Sequence, residues 1–224
     1  MDWGIAVYCG SRGCGKTYRI CEQVTRLVSR HREVIAFDPT GDIYKELSER
    51  YAHRSEPMVR KFESTAEMLA NKGKARVACV CPPRMELCER EAKAFQVMML
   101  RTGREGLVYV CDEGEVVFNE WGKGLVALPV VIMCRNFKLL IIVAAKDPIR
   151  LSVDIRRGKT VAFIYSQPTT AAVKALRDIS DSPVLEGSKG MPFYQCYYIG
   201  QTTSENPLPA PVLLTRNDPL PDEL

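Results

Sequence analysis

The chain has 224 residues, 46% apolar and 26% charged, which excludes a disordered chain, a collagen-like repeat and a coiled coil. At roughly 150 residues per domain it has room for one sizeable domain with or without a short appendage, large enough to fold without disulfides or metal. The 31 Lys and Arg against 27 Asp and Glu leave a net charge of +4, too even to establish a nucleic-acid partner by itself.

Short apolar runs alternate along the chain with longer segments of helical period. In order, the pattern predicts a strand at Gly4–Cys9, a helix at Lys16–Ser29, a strand at Val34–Phe37 and a helix at Asp42–Tyr51. A helix at Thr65–Asn71, a strand at Val77–Cys81 and a helix at Glu86–Arg101 follow. Then come a strand at Leu107–Cys111, a helical piece within Val126–Cys134, strands at Leu139–Ala144 and Val161–Tyr165, and a helix at Thr170–Asp178. The strands are continuously apolar rather than alternating, as in a parallel sheet covered on both faces. The expected class is α/β, a parallel central sheet flanked by helices in three α-β-α layers. Residues 1–190 read as one domain. Residues 191–224 read as an edge strand near Phe193–Ile199 and an arm in which Pro207, Pro209, Pro211, Pro219 and Pro221 preclude regular structure.

Nine cysteines, an odd number, sit mostly in or beside apolar runs and read as free, buried thiols. The only close pair, Cys79 and Cys81, has one residue between, which is not zinc-ligand spacing. Met1-Asp2-Trp3 carries an acid where a signal peptide needs positive charge. Leu125–Cys134 and Leu139–Ala145, the longest apolar stretches, fall short of the roughly 20 residues that cross a bilayer. A reducing, cytoplasmic setting without a transmembrane segment is expected.

Gly10-Ser11-Arg12-Gly13-Cys14-Gly15-Lys16-Thr17 fits G-x-x-x-x-G-K-[ST] between a predicted strand and a predicted helix. Glycines there let successive N–H groups wrap a phosphate, and the helix that opens at Lys16 adds its positive end. All eight residues are expected to bind nucleotide, with Lys16 reaching the β- and γ-phosphates and the Thr17 hydroxyl ligating Mg²⁺. Tyr18, the next residue, is placed either beside the adenine or in packing. Further on, Leu107–Cys111 ends in Asp112-Glu113. An acid at the end of a buried strand is costly unless it serves a cation. Asp112 is therefore assigned to Mg²⁺ and Glu113 to the attacking water as general base. P-loop kinases and GTPases commonly lack that following Glu, whereas motor ATPases usually have it.

With these motifs the chain resembles the FtsK–HerA superfamily of DNA-pumping P-loop ATPases, especially the genome-packaging ATPases of tailless, membrane-containing double-stranded DNA viruses. The resemblance extends through Cys134-Arg135-Asn136-Phe137-Lys138 and the following strand to Lys146-Asp147-Pro148. The family typically has Arg-His before that strand and Gln-Arg-Pro after it. Asn136 and Lys146 depart from the pattern, Lys146 standing where a polar sensor contacts the γ-phosphate. Asp154-Ile155-Arg156 ahead of the last core strand also matches. The resemblance implies a RecA-like fold of the additional-strand catalytic-Glu type. It implies ATP and Mg²⁺ as cofactors and a ring of identical subunits, six in number, moving double-stranded DNA without regard to sequence into a preformed capsid. The expected location is the host cytoplasm or a packaging vertex of the virion, with a capsid-vertex or viral membrane protein as anchor.

Residues 135–177 carry nine basic and two acidic residues, a net +7, whereas 178–224 carry a net −5. Ring ATPases present an arginine across the subunit interface to the transferring phosphoryl group. Arg156, Arg135 and Arg150 are the ordered candidates, and the remaining basic residues are available to phosphates in a central pore. Alternative readings are a Zot-like or conjugation-type assembly or secretion ATPase, a small-molecule P-loop kinase, and a nucleotide-gated subunit without turnover.

Overall fold

In the computed structural model, which describes residues 3–56, 58–103, 105–118, 127–201 and 209–221, the expected α/β architecture is present. In chain order the first half holds β1 (Gly4–Cys9), α1 (Lys16–Ser29), β2 (Glu33–Phe37), α2 (Asp42–Arg50), β3 (Val59–Phe62), α3 (Thr65–Asn71), β4 (Val77–Val80) and α4 (Met85–Thr102). The second half holds β5 (Leu107–Cys111), α5 (Gly114–Val117), α6 (Ala127–Asn136), β6 (Leu140–Ala145), α7 (Val153–Gly158), β7 (Val161–Ile164) and α8 (Thr170–Ala175). Two 3₁₀ segments, Leu176–Asp178 and Pro183–Ser188, lead to β8 (Cys196–Ile199) and β9 (Val212–Leu214).

The strands form one sheet in the order β3-β4-β2-β5-β6-β1-β7-β8-β9. Neighbours from β3 to β7 are parallel, and β8 and β9 are added antiparallel at one edge. The inner strands are buried throughout, so both of their faces must be covered. Successive residues serve opposite layers. Ile5, Val7 and Cys9 pack with Phe95, Met98 and Met99 of α4 on one face. Ala6 and Tyr8 pack with Ile20, Val24 and Leu27 of α1 on the other. Ile20, Val24 and Leu27 recur at helical spacing, which explains why α1 lies flat on the sheet.

Two strands depart from the sequence pattern. β3 is an edge strand whose central Arg60 and Lys61 are exposed, so it has no apolar run to betray it. The arm, expected to lack regular structure, contributes β9 directly after Pro211. A proline forbids a donor only at its own position, and a short edge strand beginning just past it can still pair. The arm continues over α1, where Leu220 is buried and its carbonyl accepts a 3.0 Å bond from Arg26 Nη1. All nine cysteines are free and buried, as their apolar settings indicated. Among the described residues no helix is long and apolar enough to cross a membrane.

Candidate nucleotide site

The loop from Gly10 to Gly15 springs from the carboxyl end of β1, the strand held between β6 and β7. Its base is fixed to both neighbours: Gly10 N donates to Ala145 O at 3.0 Å and Ser11 N to Ser166 O at 2.8 Å. Gln167 Nε2 adds bonds to the carbonyls of Cys9 and Tyr165. Gly13 and Gly15 adopt left-handed φ values of 77° and 103°, where a Cβ would be strained. Gly15 is the N-cap of α1, and no side chain caps that end, leaving its N–H groups to an anion. Lys16 is buried and folds back on the loop, donating to Gly10 O at 2.6 Å and Ser11 O at 3.0 Å. Burial raises the pKa of the Cys14 thiol even beside Lys16, so it is not a thiolate at neutral pH.

An open cleft of about 210 Å³ faces the loop, lined by Arg12, Gly13, Lys16 and Thr17 on one side and by Asp112, Glu113 and Lys146 on the other. The two acids directly follow β5, and Lys146 directly follows β6. β6 lies between β1 and β5, the additional strand expected of the catalytic-Glu class. Glu113 has left-handed backbone (φ 54°, ψ 52°), a conformation that stores about 1–3 kcal/mol in a non-glycine residue and concentrates at functional sites. The sharp turn presses Gly114 onto β6: a Cβ there would lie 2.3 Å from Val143 Cγ1 and 2.9 Å from Ala144 O. The Glu113 carboxylate forms an ion pair with Lys146 Nζ. The Lys146 backbone N–H donates to Glu115 at 3.2 Å, fixing the residue after β6 to the turn after β5.

Asp112 is buried, and burial, reinforced by Asp38 and Glu113, pushes its carboxyl up to about 7. Asp38 directly follows the neighbouring strand β2, is fully buried, and accepts the Tyr44 N–H at 2.8 Å. The Thr40 hydroxyl lies 3.4 Å from Asp38 Oδ1 and 3.3 Å from Asp112 Oδ2, and its single proton serves one of them at a time. Asp38 and Thr40 were not singled out from sequence. The signal was there, since Phe37-Asp38-Pro39 is another apolar strand ending in an acid. Buried carboxylates with too little positive charge, opposite the Thr17 hydroxyl, are the donor set that suits a hard divalent cation. Mg²⁺ therefore fits Thr17 and Asp112, with the Thr40 hydroxyl within reach of Asp112 and the Asp38 carboxyl adding negative charge beside it.

Of the arginines, Arg156 is corrected. It is buried, its Nη2 lies 2.9 Å from Asp178 Oδ2, and its Nη1 donates to Pro148 O. It braces the 3₁₀ segment at 176–178 to the turn after β6 rather than facing a neighbouring subunit. Sequence could not show this, because a charge in a basic stretch gives no sign of burial. Arg150 is exposed; Arg135 belongs to α6, and its side chain lies outside the described residues. Arg156→Ala is expected to destabilise the fold by about 2–4 kcal/mol, below the usual cost of breaking a buried pair because Arg157 also holds Asp178. Phosphate release per folded molecule should stay within about tenfold, whereas loss of a trans arginine lowers it by about 10³–10⁵. Melting curves read beside turnover separate the two.

The fold and loop together define a P-loop α/β fold with its acids one strand removed from the loop. No family model and no curated protein matches the chain, but solved structures do. The genome packaging NTPase B204 from Sulfolobus turreted icosahedral virus 2, in complex with AMPPCP, aligns with a TM-score of 0.67 at 13% identity, covering 95% of this chain and 97% of that one. The same protein with AMP gives a TM-score of 0.66 over 98% and 100%. VirB4 of Thermoanaerobacter pseudethanolicus aligns with a TM-score of 0.62 at 11% identity over 88% and 87%. The shared property at such identities is the fold.

Proposed function

We propose that the chain is a Mg²⁺-dependent ATPase that moves double-stranded DNA, a viral genome-packaging motor. The observation that carries this reading is the cleft in which Lys16 and Thr17 face Asp112 and Glu113 across the inserted strand β6. The loop N–H groups and Lys16 bind the phosphates, Lys16 exchanging its carbonyl partners for phosphate oxygens. Glu113 accepts the proton of the attacking water once Lys146 turns from it to the γ-phosphate. Mg²⁺, when bound at Thr17 and Asp112, supplies neutralisation of charge on the phosphate oxygens. Arg150, exposed after β6, and Arg135 are the candidates for a neighbour's site in a ring of six.

The alignment with a protein described as a genome packaging NTPase supports the DNA substrate, as does the +7 stretch over 135–177. Location in the host cytoplasm, anchored by a capsid-vertex or viral membrane protein, goes with the same reading. The alignment with VirB4 favours a second one, a secretion or conjugation ATPase. Phosphate release from Mg·ATP, measured with and without duplexes of unrelated sequence at increasing salt, tests both. A packaging motor is stimulated by every duplex, and the stimulation falls steeply with salt. Turnover indifferent to duplex DNA favours the second reading, and no turnover under any assembly condition rejects the enzyme.

A further inference from the structure

Three side chains outside the phosphate cleft meet on the far flank of the loop. The Arg216 guanidinium lies 4.9 Å from the ring centroid of Tyr18 and 4.9 Å from that of Tyr194. Tyr18 is the residue after Thr17, Tyr194 stands just before β8, and Arg216 follows β9. Each is held in place: the Tyr18 ring is also approached by the Arg50 guanidinium of α2, 5.1 Å from its centroid. Tyr194 has left-handed backbone (φ 62°), and its N–H donates to Cys14 O at 3.1 Å. Its ring rests on the loop, so that a Cβ on Gly15 would come within 2.8 Å of Tyr194 Cδ1. Arg216 sits in a turn closed by Thr215 N and Oγ1 on Asp218 Oδ2, at 2.6 and 2.8 Å. Arg19 of α1 donates to Thr215 O and ties that turn to the helix.

The sheet order decides what this trio is for. β6 and β5, which present Lys146, Asp112 and Glu113, lie to one side of β1; β7 and β8 lie to the other. A triphosphate with its γ end in the cleft must leave the start of α1 toward β8, where Tyr18, Tyr194 and Arg216 stand. An uncharged planar base with two π faces is matched by aromatic rings and a guanidinium plane. The Tyr194 ring, 43% exposed as a residue, still has surface to give.

We propose that Tyr18, Tyr194 and Arg216 form the nucleobase subsite, and that the segment 212–221 is the clamp that carries Arg216 onto the base. This rests on the reading of the phosphate loop as an ATP site. Stacking reads the area of the base rather than its exocyclic groups. ATP and GTP therefore bind within a few-fold of each other, and UTP more weakly.

The test titrates the full chain with Mg·ATP and with Mg·tripolyphosphate, for the wild type, Tyr194→Ala, Tyr194→Phe and Arg216→Ala. The wild type binds ATP more tightly than tripolyphosphate. Tyr194→Ala and Arg216→Ala each weaken ATP by roughly tenfold or more and leave tripolyphosphate unchanged, and Tyr194→Phe retains ATP affinity. Equal wild-type affinity for the two ligands overturns the subsite while leaving the phosphate loop intact. So does an equal loss of both in Tyr194→Ala, which would make the ring a mere support for Gly15. Arg216 is exposed, so its variant folds and remains decisive if Tyr194→Ala does not. A wild type that binds neither ligand overturns the phosphate-loop reading itself.

Discussion

Glu113→Gln is expected to lower phosphate release from Mg·ATP by about 10²–10⁴, the usual contribution of a positioned general base. The amide keeps the shape but cannot take a proton from water. ATP binding should persist, because the loop and Lys16 are untouched, and it should be modestly tighter. In the wild type Lys146 is paired with Glu113, so ATP must draw the lysine away before it can use that charge. The neutral amide releases Lys146 for the γ-phosphate from the start. Single-turnover hydrolysis beside equilibrium binding separates the two effects. A variant that hydrolyses normally removes Glu113 from the chemistry, and one that fails to bind makes it a structural residue.

Asp112→Asn should abolish Mg²⁺-dependent turnover and, without divalent cation, make the protein more stable. The Asp112 carboxyl is pushed up to about 7 by burial, with Asp38 and Glu113 beside it, whereas in the unfolded chain it ionises near pH 4. The folded state thus keeps a proton that the unfolded state gives up. Stability falls as pH rises from about 4 to about 7 and stays low above that. The amide carries no such penalty, so at pH 8 in chelator the variant gains on the order of 2–4 kcal/mol over the wild type. At pH 4 the two should melt alike. Mg²⁺ should raise the wild-type melting temperature at pH 8 and leave the variant unmoved. Identical pH profiles would mean that the acid pair is not strained.

How much of this was legible in the sequence differs from residue to residue, for physical reasons. The place and backbone shape of the loop between β1 and α1 were legible, because a backbone that can wrap a phosphate admits few residues at fixed spacing. Asp112 and Glu113 could be read because a charge closing an apolar strand needs a cause. The same reasoning applied to Asp38 but had no neighbouring signature to draw attention to it. Strand order was legible only through the family resemblance and not from local pattern: that β6 separates β1 from β5 depends on pairing between residues more than 130 apart, such as Gly4 with Leu140. The bonds of Lys146 to Glu113 and Glu115, and the burial of Arg156, depend on that pairing. The arm defeated the pattern because its anchors, Arg19, Arg26 and Tyr194, lie on other elements.

The nine buried thiols have a consequence for handling the protein. Because every cysteine is sealed in the folded state, a maleimide reaches one only when the segment around it opens, so labelling kinetics time those openings. Cys14 would report on the loop, Cys196 on the edge beneath the arm, and Cys111 on the central sheet. Three clocks at three depths are thus present without engineering. The order in which they run, with and without nucleotide, would reveal which part of the molecule loosens first.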